Sequence, residues 1–145
     1  MNRRKLIQGA GLAAVLPLLA ASAADGQTAP MTHGPEEVFE LRTYTCPDGK
    51  LPLLLKRFRE KEIHIFARLG MRGIGYWVPT DEPKKSNTLA YMLAHKSRAA
   101  AAESWKKFST DPEWVKLKAE SEAGGPLVTV HDITFMSRTD FSPML

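Results

Sequence analysis

The order in which strand-forming and helix-forming stretches follow one another restricts the fold of this chain most strongly. Four stretches are rich in β-branched and aromatic residues, and two regions carry apolar residues at helical spacing. In chain order they are a strand at 38–45, a helix at 51–69, strands at 71–79 and 88–95, a helical region at 97–121 and a strand at 127–136. The boundaries carry the expected residues, since Gly70 suits the end of a helix and Ser97 and Asp111 suit the start of one.

This order predicts an α+β fold with the ferredoxin-like βαββαβ arrangement, a four-stranded antiparallel sheet with its helices on one face. The polar stretch at 80–87 is predicted to be a loop. Two helices can cover only one face of four strands, yet the strand TLAYMLA at 88–94 is apolar on both sides. An uncovered apolar face is an association surface. We therefore expect a homodimer that pairs sheet face against sheet face and forms a barrel-like interface.

The first residues read as an export signal rather than as part of the fold. Residues 1–24 combine a basic start with an apolar run that Gly11 and Pro17 interrupt, so no stable membrane insertion is expected. Arg3 and Arg4 resemble a twin-arginine signal, and an ordinary secretory signal is the alternative. The expected location is periplasmic or secreted. Residues 25–37 read as a flexible linker, 38–138 as the folded domain and 139–145 as a C-terminal tail.

Charge and cysteine content exclude a role in nucleic-acid binding and an intramolecular disulfide. The chain has 20 basic and 16 acidic residues, and removal of the signal takes away three basic ones. The mature net charge is then about +1, and no basic stripe remains, so a nucleic-acid role is rejected. Cys46 is the single cysteine and excludes an intramolecular disulfide. It is interpreted as a turn residue.

One carboxylate interrupts the apolar stripe of the helix at 51–69. On a helical wheel Glu62 lies near the centre of that stripe. A buried carboxylate needs a partner or a raised pKa. The predicted partners are Arg42 and Arg72, in a structural ion pair; alternatively Glu62 lines a ligand cavity between helices and sheet. The candidate pocket residues are Glu62, Arg42, Tyr44, Arg72, Trp77, Tyr91 and His95.

The histidines favour no metal centre. Their spacing matches no zinc motif, and no metal ligands are predicted. His95 or His131 could face the cavity, whereas His64 is expected to be solvated. A haem needs only one axial histidine, so haem stays possible as a cofactor but is not favoured over a hydrogen-bonded strand histidine.

Three strings in this order, FELRTYT from Phe39, GMRGIGYW from Gly70 and DPEW from Asp111, resemble the NIPSNAP family of the dimeric α/β-barrel superfamily. The resemblance implies the fold and a homodimer, but no catalytic residues, which stay unknown. Related proteins on this fold include cofactor-free oxygenases, haem-degrading oxygenases, haem peroxidases and isomerases. The chain departs from the family at Leu69, where relatives often have His. The expected function is a small-molecule or protein binding module; the alternative is a periplasmic cofactor-free oxygenase or isomerase.

Overall fold

The computed structural model describes residues 37–143. The predicted signal at 1–24 and the linker, up to residue 36, lie outside the described residues, as do the last two residues of the predicted tail. Within 37–143, no helix is long and apolar enough to cross a membrane. The described residues include all of the domain predicted at 38–138.

The sheet has four strands, all paired antiparallel, in the spatial order β2-β3-β1-β4. The strands are β1 at Val38–Thr45, β2 at Arg72–Trp77, β3 at Thr88–His95 and β4 at Val130–Met136. The predicted fold class, a four-stranded antiparallel sheet with helices in the ferredoxin-like order, is confirmed. β2 contains an irregularity between Gly73 and Gly75, and β4 starts three residues later than predicted.

The first helical region is continuous but not uniformly α-helical. It comprises α1 at Leu51–Arg57, a π-helical turn at Phe58–Glu62 and α2 at Ile63–Arg68. Gly70, with φ at 82°, lets the chain leave the helix in the left-handed conformation that glycine tolerates best. The π turn was not predicted, because apolar spacing alone does not reveal one extra residue in a turn.

The second helical region consists of α4 at Arg98–Thr110 and α5 at Pro112–Ser121. Ser97 and Asp111 cap them as predicted: the Ser97 side chain accepts a hydrogen bond from the Ala100 backbone, and Asp111 accepts bonds from Glu113 and Trp114. The stretch at 80–87, predicted as a loop, contains the short helix α3 at Lys84–Asn87.

The two sheet faces have different surroundings. Side chains alternate along a strand, and Glu40 contacts Trp105 of α4, so Glu40, Arg42 and Tyr44 point to the helices. We call this the helix face. The opposite, open face carries Leu41, Thr43 and their neighbours across the strands. The core fills the space between the helix face and the helices; its most completely buried apolar residues are Tyr91, Phe66, Leu54, Ile65, Met71, Leu89, Leu93 and Leu127.

Candidate functional site

A pocket of about 320 Å³ lies between the helix face and the helices, on the side of β1 and β4. We call it the helix–sheet pocket. Most of its walls are aromatic or apolar, with a few charged groups among them. It is lined by Arg42, Tyr44, Arg57, Glu62, Trp105, Phe108, Ser109, Trp114, Lys118, Glu122, Pro126, Val128 and His131.

The π turn determines what Glu62 touches. Arg57 Nε donates a hydrogen bond to Glu62 Oε2 at 2.9 Å, and both side chains are buried. Residues five apart in an α-helix point about 140° away from each other. A π turn holds one residue more per turn and brings such residues onto one side of the helix. The predicted pairing of Glu62 with Arg42 or Arg72 is thus corrected, since the partner is Arg57.

Glu62 keeps one carboxylate oxygen free for the pocket. Its side chain is nearly inaccessible to solvent, with 2 % of the residue exposed. Among the described residues, Oε2 accepts the bond from Arg57, whereas Oε1 accepts no hydrogen bond. Burial raises the pKa of Glu62 to about 7 in spite of the Arg57 charge and hydrogen bond. Glu62 can therefore take up or release a proton near neutral pH.

Arg57 ties the first helical region to the end of α5. Its Nη1 donates to Glu122 Oε1 at 2.9 Å and to Ser121 Oγ at 3.3 Å. Lys118 also pairs with Glu122. Burial alone would raise the pKa of Glu122, but the hydrogen bonds from Lys118 and Arg57 outweigh it and lower that pKa. Glu122 is thus the ionised carboxylate of the pocket, and Glu62 is the titrating one.

Arg42 and Tyr44 form the floor of the pocket on β1. Arg42 Nη1 donates to the Tyr44 hydroxyl at 3.0 Å, and the Tyr91 hydroxyl donates to the same oxygen at 2.7 Å. The Arg42 guanidinium carbon lies 3.5 Å from the centre of the Trp105 ring, a cation–π contact. Tyr91 lies behind Tyr44, fully buried, and supports the pocket without lining it. Burial raises the pKa of both tyrosines, which keeps them protonated.

A second buried carboxylate, Glu40, lies on the same strand. Its Oε1 accepts a bond from Arg42 Nε at 2.7 Å, and its Oε2 accepts bonds from His95 Nε2 and Trp105 Nε1, each at 2.7 Å. Burial alone would raise the pKa of Glu40, but these hydrogen bonds and the Arg42 charge outweigh it and lower the pKa. We call Glu40, Arg42, His95 and Trp105 the Glu40 cluster.

The structure separates the seven predicted pocket residues into three groups. Glu62, Arg42 and Tyr44 line the helix–sheet pocket, and Tyr91 backs it. His95 is engaged by Glu40 and does not line the pocket.

The last two predicted residues, Arg72 and Trp77, lie on the open face by register and outside the helix–sheet pocket, and Trp77 also lines a second pocket with Phe58 and Ile63. Arg72 pairs with Glu37 at 3.0 Å, and Trp77, 51 % exposed, extends its ring over Gly75, where a Cβ would lie 2.4 Å from the ring. Both were candidates because the sequence does not determine which face of the sheet each side chain of β2 points to. The irregularity in β2 determines which residues face the helices, and it brings Tyr76 to that face, stacked on Tyr91.

Sequence reasoning missed Arg57, Glu122 and Glu40. Glu40 could have been found, because it shares a strand face with Arg42 and Tyr44 in a period of two. Arg57 could not, since only the π turn brings it to Glu62. His131, which the sequence left open, lines the pocket, with its ring centre 4.6 Å from that of Tyr44. Burial and then the Arg42 charge lower the pKa of His131.

The remaining chemistry-bearing residues add no second centre. Within residues 37–143, no group of three or more His, Cys, Asp or Glu is placed to hold a metal ion. Cys46 is buried, and burial raises the pKa of its thiol. His64 is exposed, as expected. Of the histidines considered for haem, only His131 faces the pocket among the described residues.

The chain resembles known proteins in both sequence and fold. Residues 39–143 match the family model NIPSNAP. A solved NIPSNAP family protein from Agrobacterium tumefaciens is 27% identical with a TM-score of 0.65, over 76% of this chain and 100% of that chain. No curated protein sequence matches the chain.

Two further structures, of lower sequence identity, are also similar in fold. An uncharacterized NIPSNAP-like domain protein from Burkholderia xenovorans is 20% identical, with a TM-score of 0.66 over 76% of this chain and 91% of that chain. SnoaB, a cofactor-independent oxygenase from Streptomyces nogalater, is 12% identical, with a TM-score of 0.51 over 75% of this chain and 99% of that chain. At these identities the similarity shows a shared fold only.

Proposed function

This chain belongs to the NIPSNAP family, and from that premise we propose that it is a homodimeric module which binds a small organic ligand in the helix–sheet pocket. The observation that carries the proposal is Glu62, a buried carboxylate with one oxygen unpaired among the described residues, at the wall of the pocket. Desolvation of this carboxylate is costly, and its second oxygen keeps hydrogen-bonding capacity for a molecule in the pocket.

The composition of the pocket supports ligand binding. Small-molecule sites are concave, mostly apolar, and carry a few polar groups that orient the ligand, with volumes of roughly 300–1,000 Å³. The helix–sheet pocket has about 320 Å³ and walls of Trp105, Phe108 and Trp114. Its charged groups come from β1, from the first helical region, and from α5 and the residue that follows it, and they converge on one space.

Native mass spectrometry of the protein purified from its own cells tests this function. We expect a retained small molecule, and we expect Ser109→Trp to lose it, because Ser109 lines the pocket and a tryptophan fills the space. Thr110→Trp is the matched control, since the neighbouring Thr110 is exposed and outside the pocket lining. A retained molecule that survives Ser109→Trp would place binding elsewhere.

The open face supports the homodimer. It carries Trp77, 51 % exposed, and Val130, 46 % exposed, beside the half-buried Leu41 and Met92. Large apolar groups on one sheet face favour association with a second copy. Met92→Glu places a charge in the middle of this face and should give a monomer in sedimentation equilibrium. Lys107→Glu, on the outer surface of α4, should stay dimeric; a dimeric Met92→Glu variant would refute this interface.

We also propose export through residues 1–24 to the periplasm or the exterior. The basis is the sequence alone, with Arg3 and Arg4 before an apolar run. Replacing both arginines by lysine should leave the precursor in the cytoplasm, as cell fractionation would show. Normal export of that variant would favour the ordinary secretory route, and cytoplasmic wild-type protein would refute export.

A second candidate function is a cofactor-free enzyme, an isomerase or oxygenase that uses Glu62 as general acid and base. The pKa of Glu62, raised by burial to about 7, favours it, since proton transfer is most effective when the catalytic pKa lies near the working pH. The cofactor-independent oxygenase SnoaB, similar in fold, adds weak support. Once the retained molecule is known, deuterium uptake from D₂O and oxygen consumption separate the two reactions. Glu62→Gln should abolish either while binding persists.

A further inference from the structure

The charges around the helix–sheet pocket restrict the chemical class of its ligand. We propose, building on the ligand-binding function above, that this ligand is a planar organic monoanion and that it enters the pocket together with one proton, which Glu62 carries. The charges that line the pocket, the unpaired Glu62 oxygen and the aromatic walls support this proposal.

The ionised groups of the pocket neutralise one another without a ligand. Three cations, Arg42, Arg57 and Lys118, face or rim the pocket. Each has a carboxylate partner, because Arg42 pairs with Glu40, Arg57 with Glu62, and Lys118 with Glu122. Adding an anion to this neutral set would place an uncompensated negative charge beside the buried, ionised Glu62 carboxylate, which is costly. Protonation of Glu62 leaves one positive charge, which a monoanion balances.

Glu62 is also the carboxylate best placed to hold the proton. Glu40 is held ionised by three hydrogen-bond donors, and Glu122 by two cations. Glu62 has one cationic partner on Oε2, so a proton on Oε1 can be donated to a ligand oxygen in the pocket. A protonated carboxyl and an arginine together form a common donor set for a carboxylate or an enolate oxygen.

The surroundings of Glu62 are consistent with a single titrating group. The groups whose charge acts on Glu62 are Arg57 on its own helix, Arg42 on β1 and Glu122 after α5. The tyrosines that sense Glu62 keep pKa values above their ordinary value, and the pKa of His131 is lowered. The tyrosines stay protonated from pH 6 to pH 8, and the Glu62→Gln variant separates the titration of Glu62 from that of His131. The tyrosines are Tyr44, Tyr76 and Tyr91.

The walls favour a flat, unsaturated ligand. Trp105, Phe108, Trp114 and Tyr44 contribute aromatic rings to the pocket. Aromatic side chains gain most from offset-stacked or edge-on contact with another ring system. Together with the charge count, this selects aromatic or conjugated carboxylates and enolates over sugars, amines or neutral lipids.

The test uses matched probes on the whole mature protein. Benzoate, 1-naphthoate and indole-3-carboxylate are each compared with the corresponding neutral amide by isothermal titration calorimetry. At pH 6 we expect at least one carboxylate to bind at least tenfold more tightly than its amide, with Ser109→Trp abolishing the binding. For a site of pKa near 7, the protonated fraction falls about tenfold between pH 6 and pH 8. Affinity should fall by the same factor.

Two variants separate the proton from other effects of pH. Glu62→Gln, a neutral isostere, should bind the carboxylate with an affinity that no longer changes from pH 6 to pH 8. Glu120→Gln is the matched control on the exposed side of α5 and should keep the tenfold fall. Titrations at pH 8 in phosphate and in Tris, whose ionisation enthalpies differ, should show uptake of close to one proton by the wild type and none by Glu62→Gln.

The outcomes distinguish this inference from the function on which it rests. Amides that bind as tightly as carboxylates, no carboxylate binding, or a pH slope that persists in Glu62→Gln would each overturn the inference. A retained native molecule displaced by Ser109→Trp would still uphold ligand binding in those cases. Absence of both a retained molecule and probe binding would overturn the two proposals together.

Discussion

Glu40 on β1 and Glu62 in the first helical region are both buried carboxylates. Their hydrogen-bond partners differ, and this difference explains which of them is available for function. Glu40 is fully buried, and both its oxygens accept hydrogen bonds, from Arg42, His95 and Trp105. Glu62 is equally buried, but one oxygen accepts a bond from Arg57 and the other accepts none among the described residues. Their pKa values accordingly shift in opposite directions, with Glu40 lowered and Glu62 raised to about 7.

The difference shows that burial alone does not define the role of a carboxylate. Desolvation raises the pKa of both groups, and the number of donors decides whether the ionised form survives it. A satisfied carboxylate such as Glu40 organises its neighbours and contributes to stability. A half-satisfied one such as Glu62, next to a pocket, keeps hydrogen-bonding capacity for something that enters. Loss of the Glu40 carboxylate should therefore lower stability, and loss of the Glu62 carboxylate should change how stability depends on pH.

Removal of the Glu40 carboxylate should have the largest effect on stability. Glu40→Leu leaves Arg42, His95 and Trp105 without their shared acceptor inside the protein. Breaking a buried ion pair by removing one partner typically costs about 3–5 kcal/mol. Urea denaturation of the purified variant measures this loss.

Glu103→Gln is the control for Glu40→Leu. Glu103 pairs with Lys107 on the exposed side of α4, and its loss should leave the free energy of unfolding almost unchanged, because solvent screens exposed ion pairs. If Glu40→Leu lost no more than this control, the Glu40 cluster would not stabilise the fold, and the contrast with Glu62 would disappear.

The raised pKa of Glu62 should make the free energy of unfolding depend on pH. Its folded pKa is raised from an ordinary 4.5 to about 7, so the folded state holds the proton more tightly than the unfolded state. The stabilisation is therefore complete below pH 4.5 and is lost as pH rises through 7, which amounts to about 3 kcal/mol. From pH 4.5 to pH 8 the wild type should lose this amount of unfolding free energy relative to Glu62→Gln, which cannot titrate at this position. Glu120→Gln should show no such change.

The same contrast explains how much of the molecule the sequence could predict. The βαββαβ order and the helix caps at Ser97 and Asp111 follow from local patterns, because strand alternation and capping are properties of neighbouring residues. The place of Glu62 on the buried side of its helix follows likewise from a helical wheel. The identity of its partner could not be predicted in this way. Apolar spacing does not reveal a π turn, and only the π turn brings Arg57 into contact with Glu62.

Residues on β2 show the same limit. A single irregularity between Gly73 and Gly75 decides which side chains face the helices, and the sequence does not state its register. Trp77 and Arg72 were therefore predicted for the pocket but lie on the open face. His95, on the regular strand β3, does point to the helices, but it lies opposite Val38, at the other end of β1 from Tyr44, and bonds to Glu40 outside the pocket.

Trp105 and Trp114 allow a smaller test of the Glu40 cluster. Trp105→Phe keeps an aromatic ring in place but removes the Nε1–H that donates to Glu40 at 2.7 Å. A hydrogen bond to a charged group contributes about 1.5–3 kcal/mol, and a loss in this range is expected by thermal or urea denaturation. Trp114→Phe is the matched control, because Trp114 donates no side-chain hydrogen bond within residues 37–143. Equal losses in both variants would mean that ring packing, and not the bond to Glu40, accounts for the effect.

The smallest expected effect concerns Ser121, which contacts the Glu62 partner Arg57. Ser121 accepts a bond from Arg57 Nη1 at 3.3 Å, longer than the 2.9 Å bond from the same atom to Glu122. Ser121→Ala removes this longer bond and the exposed bond from Ser121 Oγ to the Lys118 carbonyl, while Arg57 keeps Glu62 and Glu122, so the free energy of unfolding should fall by about 0.5–1 kcal/mol. Because the Arg57–Glu62 bond is untouched, the pH at which Glu62 titrates should stay within about half a unit of wild type, as ¹³C NMR of the labelled carboxyl would show. A larger shift would mean that Ser121 holds Arg57 in place, and that Glu62 depends on more donors than the one it contacts.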